Sequence, residues 1–143
     1  MRTEVEFEVE ASPEDVWAVM KDVERWPEWS ESITSAALEN ARVLGAGVSA
    51  RIKQPRVPAM TWQVTDYVEG ERFTWEATTT GSKSVAWHSV SEIAPGRTKV
   101  VLGVEQTGVL VPILKPLLGR MTKRFVAMEA EGLKRRAELR AAA

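Results

Sequence analysis

The sequence contains no cysteine and only one histidine, His88, in 143 residues. These absences exclude disulfide frameworks, thiol nucleophiles, iron–sulfur clusters and ordinary cysteine–histidine zinc sites, so we predict no metal and no cofactor. Apolar runs of about 18 residues, the length of a membrane span, are also absent. Because residues 1–10 carry four glutamates and no apolar run, we expect no signal peptide, a cytoplasmic location and no stable membrane insertion.

Neither sign of charge dominates the chain. It has 19 basic and 20 acidic side chains, a formal net charge of −1, so no overall field favours a nucleic-acid backbone and we predict no nucleic-acid partner. Hydrophobic residues at 44% and charged residues at 27% are typical of globular proteins, and the length predicts one domain over residues 1–143. Six tryptophans against one tyrosine supply a large apolar aromatic surface with few polar groups.

Two helix signals follow an initial strand, in which glutamates alternate with apolar residues. Ser12 and Pro13 have the residue types of a helix cap and a first helical position, so they predict a short helix. Asp22 predicts the start of a second turn over 23–26. Pro27 is expected to end that turn, because proline donates no backbone hydrogen bond.

Turn signals divide the following part of the chain into six segments rich in valine, threonine and tryptophan, which pleated strands favour. The short links predict antiparallel hairpins, and a sheet of seven twisted strands has to curl. The predicted strands cover residues 3–10, 32–40, 47–54, 60–69, 71–79, 84–94 and 97–108.

The C-terminal segment changes to a helical period, because apolar residues recur at steps of three and four. These residues are Leu114, Leu118, Met121, Phe125 and Met128. With Pro116 in the first turn, the predicted helix runs to about Arg140. A helix with one apolar stripe needs an apolar partner, and the concave face of the sheet is the one available.

This order of elements resembles the helix-grip architecture of the START-like superfamily, also described as SRPBCC or Bet v 1-like. Residues 11–17, Ala-Ser-Pro-Glu-Asp-Val-Trp, are similar to the family's entry into its first helix, and residues 22–29 resemble its Asp-x-x-x-aromatic-Pro-x-Trp corner. Trp75, His88 and residues 96–100 are similar to the bacterial polyketide cyclase/dehydrase and lipid-transport branch. The resemblance implies an α+β fold with a seven-stranded curved antiparallel sheet around a long C-terminal helix, and two short helices after the first strand.

A long helix held by a curved sheet touches it along a line and diverges elsewhere, so side chains fill the gap or leave a cavity. Strand parity turns Trp62, Val64 and Val68 toward this gap. The alternative is that the inward side chains only pack against each other. The residues that we predict to bind a ligand there are Trp29, Ile52, Met60, Trp62, Phe73, Trp75, His88, Leu118, Met121, Phe125 and Met128.

Several polar or aromatic residues allow two interpretations. Both faces of the His88 strand are partly apolar, and the resemblance, which includes a histidine there, favours an inward His88 that anchors a guest or acts as a general base. Trp26 and Trp29 close the mouth of the cavity or plug one end of the core. The loop over 54–59 is a second candidate rim, which offers Arg56 to an anionic or carbonyl group or leaves it solvated.

The basic face of the C-terminal helix could contact anionic lipid or a partner surface. Glu129, Glu131 and Glu138 are interspersed among its basic residues and favour plain solvation instead.

The predicted function is the binding or transport of a small hydrophobic ligand, such as a lipid, isoprenoid or aromatic polyketide, in an internal apolar cavity. It is implied by the resemblance and is consistent with the apolar lining residues. Two alternatives stay open, because fold does not settle function. One is a polyketide cyclase or dehydrase in which His88 moves a proton, and the other is a protein-interaction module with a filled core. We name no catalytic residue.

Overall fold

Seven antiparallel strands and a long helix dominate the structure, a computed structural model that describes all 143 residues. The sheet has the order β1-β7-β6-β5-β4-β3-β2, so every neighbouring pair except β1 and β7 is consecutive in sequence. The elements are β1 (Arg2–Val9), α1 (Pro13–Lys21), a 3-10 helix (Val23–Glu28), β2 (Ser35–Leu38), β3 (Ser49–Lys53), β4 (Met60–Val68), β5 (Arg72–Thr79), β6 (Ser82–Ala94), β7 (Arg97–Thr107) and α2 (Val111–Ala142).

The first helix begins as its sequence predicts. Ser12 is the N-cap, and its Oγ accepts a hydrogen bond from the Asp15 amide at 3.2 Å, while Pro13 occupies the first helical position. Such a cap satisfies one of the free amides at a helix start and stabilises it by about 1 kcal/mol. The cap fixes where the chain leaves β1 and enters the helical corner.

The second turn is longer than predicted. It is a 3-10 helix that continues through Pro27 to Glu28, and its Asp22 side chain makes no capping hydrogen bond. Pro27 is tolerated because the chain beyond it is held by another amide: Trp29 donates to the Trp26 carbonyl at 3.1 Å. Asp22 forms an ion pair with Arg25 instead, at 3.2 Å.

A β-bulge changes which side chains of β4 face the core. The register between β4 and β5 shifts between Val64 and Asp66. The bulge reverses the parity, so Tyr67, rather than the predicted Val68, packs against the core, with its ring 5.9 Å from that of Trp17. The prediction for Val68 assumed an unbroken alternation and is therefore wrong.

The long helix α2 begins at Val111, five residues before the predicted start, so Pro116 lies inside it. Pro112 takes the position in the first turn that we expected for Pro116. Buried Val111 and the hydrogen bond from the Leu114 amide to the Leu110 carbonyl, at 3.1 Å, extend the helix toward its N-terminus. None of the helices has the length and apolar content that crossing a bilayer requires.

The core lies where α1, the 3-10 helix and the C-terminal half of α2 meet the inner face of the sheet. On α2, Val126, Leu133 and Ala137 form the packed side. Five of the six tryptophans are buried, and only Trp87 lies on the outer face, where its Nε1 donates to Glu4 at 2.8 Å. The N-terminal half of α2 diverges from this core and leaves space beneath it.

Candidate functional site

A cavity of about 370 Å³ lies between α2 and the inner face of strands β3 to β7. Thirty residues line it, and nineteen of them are hydrophobic. Ligand pockets commonly measure about 300–1,000 Å³ and are mostly apolar with a few placed polar groups. The cavity therefore has the size and lining of a pocket for a small apolar guest.

The mouth of the cavity is marked by lining residues that are also exposed to solvent. Thr79 ends β5 and Thr80 lies in the turn that follows it, Pro58 comes from the loop before β4, and Leu110 and Leu114 come from the start of α2. All five are exposed while they line the cavity. A guest would enter between this loop, this turn and the N-terminal end of α2.

Trp26 lies toward the opposite end. It is 2% exposed, and its ring lies 5.3 Å from Trp75 and 5.6 Å from His88. Its Nε1 donates to the Met20 carbonyl at 3.0 Å, which fixes the ring. Of the two interpretations, the structure supports the plug: Trp26 closes the inner end of the cavity, Trp29 packs behind it in the core, and neither covers the mouth.

Eight of the eleven predicted ligand-binding residues lie in the wall of this one cavity. The sheet contributes its members from β3 to β6, and α2 contributes three from its cavity side. These residues are Ile52, Met60, Trp62, Trp75, His88, Leu118, Met121 and Phe125.

Three predicted residues lie outside the wall, so their placement there is corrected. Trp29 packs against Gly132 of α2 and the Trp26 ring, within the core. Phe73 is fully buried, with its ring stacked on His88 at 4.1 Å. Met128 is half-buried and absent from the lining. Continuing past Phe125, the cavity side of α2 passes through Val126 and Glu129, which leaves Met128 on its flank.

His88 points inward from β6 and is the polar residue at the centre of the aromatic cluster. It is 5% exposed, and its Nδ1 lies 3.3 Å from the Phe73 carbonyl. Burial lowers the pKa of His88 to about 4, although the hydrogen bond to Phe73 acts in the opposite direction. The ring is thus neutral at pH 7. With Nδ1 donating to the carbonyl, Nε2 is an acceptor that has no protein partner and retains accessible surface in the cavity.

Glu129 lies in the cavity wall and not, as predicted, in solvent. We expected it to be solvated on a basic helix face, whereas it is half-buried and lines the cavity from α2. It forms neither an ion pair nor a hydrogen bond with any protein group, and desolvation raises its pKa to about 7. Its position in the wall could have been predicted from its helical spacing, because Glu129 follows Phe125 by four residues and so lies on the same side of α2.

Cations are absent from the lining. Among the thirty residues, Glu129 and His88 are the only ionisable side chains, and the remaining polar side-chain groups are hydroxyls, amides and indole N–H groups. Gln106 Oε1 has a partner within the wall, since the Thr122 hydroxyl donates to it at 3.2 Å. The loop over 54–59 contributes to the wall as the rim prediction states, but Arg56 is exposed and absent from it.

Solved structures with the same fold are known. TTHA0849 from Thermus thermophilus superposes with a TM-score of 0.80 at 19% identity over 100% of both chains. A START superfamily protein from Mycobacterium smegmatis has a TM-score of 0.68 at 19% identity, over 99% of this chain and 97% of that one. The di-domain ARO/CYC StfQ of the steffimycin biosynthetic pathway has a TM-score of 0.75 at 13% identity, over 99% of this chain and 52% of StfQ.

These similarities show that the chain has the helix-grip fold of those structures. No protein of curated function matches this sequence. The sequence itself matches one family, described as polyketide cyclase / dehydrase and lipid transport, over residues 1–138. The match covers nearly the whole chain and agrees with the fold, so the chain belongs to the polyketide cyclase / dehydrase and lipid transport family.

Proposed function

We propose that this chain binds a small hydrophobic molecule in the cavity between α2 and the sheet and carries it in the cytoplasm. The observation that supports the proposal is the cavity itself, which stays open although Trp26, Trp62 and Trp75 are buried in its wall. A lining of aromatic rings and thioethers suits a flat or flexible apolar guest, such as a lipid, isoprenoid or aromatic polyketide.

Burial would supply most of the affinity. At about 25 cal/mol per Å² of apolar surface, a guest that buries about 250 Å² gains about 6 kcal/mol before the costs of association. The polar groups of the wall would then orient the guest, because His88 Nε2 and the Glu129 carboxyl lack protein partners. Binding without any reaction is therefore sufficient to account for the shape and chemistry of the cavity.

A reaction driven by His88 is less well supported. A general base works best when its pKa lies near the working pH, and the pKa of His88 is lowered to about 4. An interaction module with a filled core is also disfavoured, because an open apolar cavity weakens packing with no gain for such a module.

The test is a comparison of two substitutions on neighbouring positions of β6. Ala86 lines the cavity, and Val85 points to the other face of the same strand. We expect Ala86→Phe to fill the cavity and to weaken binding of an apolar fluorophore at least about tenfold, which corresponds to about 1.4 kcal/mol. Val85→Phe should leave binding unchanged.

Native mass spectrometry of the freshly purified chain complements this titration, because a retained guest would appear as added mass. The proposal fails if no apolar fluorophore binds the parent protein and no added mass is found. It also fails if Ala86→Phe and Val85→Phe weaken binding equally, since binding would then lie outside the cavity.

A further inference from the structure

The charge of the cavity wall narrows the class of guest. Glu129 is the only acidic side chain in the wall, and no lysine or arginine accompanies it. A fatty-acid carboxylate or a phosphate would therefore enter an apolar space that holds no cation and one acid. Burying an anion there without a partner is strongly unfavourable.

The two ionisable side chains of the wall present free acceptors, which favour a hydrogen-bond donor on the guest. The Glu129 carboxylate accepts hydrogen bonds only, and the neutral His88 ring presents its Nε2 lone pair. Neither group has a protein partner, and both keep surface within the cavity. A protonated amine, which has several N–H donors and one positive charge, complements both of these features.

Building on the proposed ligand binding, we propose that the cavity selects apolar molecules that carry a protonated amine, with Glu129 as the partner of the ammonium group. His88 Nε2 is a second acceptor in the same wall. The apolar part of the guest lies against Trp62, Trp75 and Phe125.

Proton release on binding distinguishes this proposal from the binding of an uncharged apolar guest. Glu129, whose pKa is raised to about 7, is largely protonated below that value in the empty protein. An ammonium group stabilises the carboxylate and so lowers that pKa, which means that binding below pH 7 releases a proton. His88 is the only other ionisable group in the wall, and it stays neutral throughout this range.

Decylamine, decanol and decanoate test the proposal, because they share one apolar chain and differ only in the head group. At pH 8 we expect decylamine to bind at least about tenfold more tightly than decanoate, with decanol between them. In Glu129→Gln the amine should lose about tenfold in affinity while decanol keeps its own. Glu131→Gln, an exposed neighbour on α2, is the control and should behave as the parent.

Calorimetry in buffers of different ionisation enthalpy should detect proton release on decylamine binding at pH 6 and none at pH 8.5. Decanoate binding as tightly as decylamine, or an amine preference that persists in Glu129→Gln, would overturn the proposal. Decanol binding with no amine preference would leave the proposed function standing and refute only this inference. If none of the three probes binds while an apolar fluorophore does, this inference is refuted and the proposed function stands.

The surface around the mouth carries a cluster of exposed hydrophobic residues, an observation that is independent of the charge of the cavity wall. Five of the eight large exposed hydrophobic residues of the protein lie within residues 109–117. Val109 is 78% exposed, Ile113 73% and Leu117 67%. Large apolar side chains clustered on a surface usually mark an interaction site.

The charges beside these residues point to the chemistry of the partner. Between Gln106 and Met128 the chain has four basic residues and no acidic one. Ile113, Leu117, Arg120 and Arg124 follow one line along α2, since their spacing repeats the helical turn. An exposed apolar stretch continued by arginines matches an anionic lipid surface, which offers apolar tails beside negative head groups.

We also infer that the mouth docks on an anionic membrane surface through this stretch, residues 109–124. A second copy of the chain fits less well, because a two-fold contact would bring two basic stretches together. Leu110 and Leu114 belong both to the stretch and to the cavity wall, so docking would place the mouth against the lipid.

Co-sedimentation with phosphatidylcholine vesicles, with and without about 30% phosphatidylserine, tests the surface. We expect binding only to the anionic vesicles, lost in the double variants Ile113→Ser with Leu117→Ser and Arg120→Glu with Arg124→Glu. Ile93→Ser, which removes an exposed apolar residue of β6, should bind as the parent does. The inference is overturned if the parent ignores anionic vesicles, or if it forms a dimer that the Ile113 and Leu117 substitutions abolish.

Discussion

Gly132 of α2 lies directly against the main chain of Trp29, and a Cβ at position 132 would overlap the Trp29 carbonyl group and ring. Arg135 reinforces this contact, because its Nη2 donates to the Trp29 carbonyl at 3.2 Å. The long helix is therefore held to the 3-10 corner at the closed end of the cavity. Its other end, where the mouth lies, has no comparable contact with that corner.

We expect Gly132→Ala to destabilise the protein by about 1–3 kcal/mol, because the backbone of α2 has to move away from Trp29. Thermal or urea unfolding followed by circular dichroism measures the change. Gly119→Ala is the matched control in the same helix, since its Cβ meets only the Met1 sulfur at 3.7 Å. That control should be neutral or more stable by up to about 1 kcal/mol. Equal effects of the two substitutions would contradict the close packing at Trp29.

The buried histidine predicts a loss of stability in acid. The unfolded chain binds a proton at His88 near its ordinary pKa of 6.5, whereas the folded chain does so only near 4. The free energy of unfolding should therefore fall as the pH decreases from 6.5 to 4, by up to about 3 kcal/mol from this group. His88→Asn should remove that part of the pH dependence, while its amide can still donate to the Phe73 carbonyl.

Glu129 acts in the opposite direction over nearly the same pH range, so the histidine is best measured in the Glu129→Gln background. There the urea midpoint should decrease steadily from pH 6.5 to 4, and the added His88→Asn substitution should flatten the curve. An unchanged slope would show that His88 is protonated equally easily in both states.

The acid in the cavity predicts higher stability at lower pH. Glu129 is protonated in the folded protein up to about pH 7 but ionises near 4.5 when the chain is unfolded. The free energy of unfolding should thus decrease as the pH rises from 4.5 to 7, by about 1–3 kcal/mol from this residue.

Glu129→Gln should match the parent protein near pH 4 and exceed its stability at pH 8, where the parent holds an ionised carboxylate in the cavity. Glu131→Gln should show no such pH-dependent difference, because Glu131 is exposed. A constant difference between Glu129→Gln and the parent at all pH values would place the carboxyl group in water.

The tryptophans of the wall should report a bound guest. The rings of Trp62 and Trp75 lie 5.8 Å apart in the cavity wall, so an apolar ligand changes the surroundings of both. We expect Trp75→Phe to reduce the change in tryptophan emission on ligand binding, because Trp75 is one of the rings in the wall. In Trp17→Phe the change should persist, because Trp17 is buried outside the wall.

Much of the fold follows from local signals in the sequence. The alternation of β1, the Ser12 cap and the glycine and proline turns each act over a few residues, so they predict their elements without knowledge of contacts elsewhere. The confirmed family membership and helix-grip fold rest on these signals taken in order. The inward parity of β3 and β5 also follows, because a strand alternates its faces strictly until something interrupts it.

Tertiary packing decided the features that such local signals do not carry. The bulge in β4 turned Tyr67 inward, and buried Val111 moved the start of α2 from Pro116 to Val111. The direction of His88 and the burial of Glu129 depend on where α2 diverges from the sheet, which is set by its contact with Trp29 at the far end. From the sequence alone, a charged residue among basic neighbours is expected to be solvated. Whether water or protein surrounds it depends on the distance between α2 and the sheet, which only the tertiary structure determines.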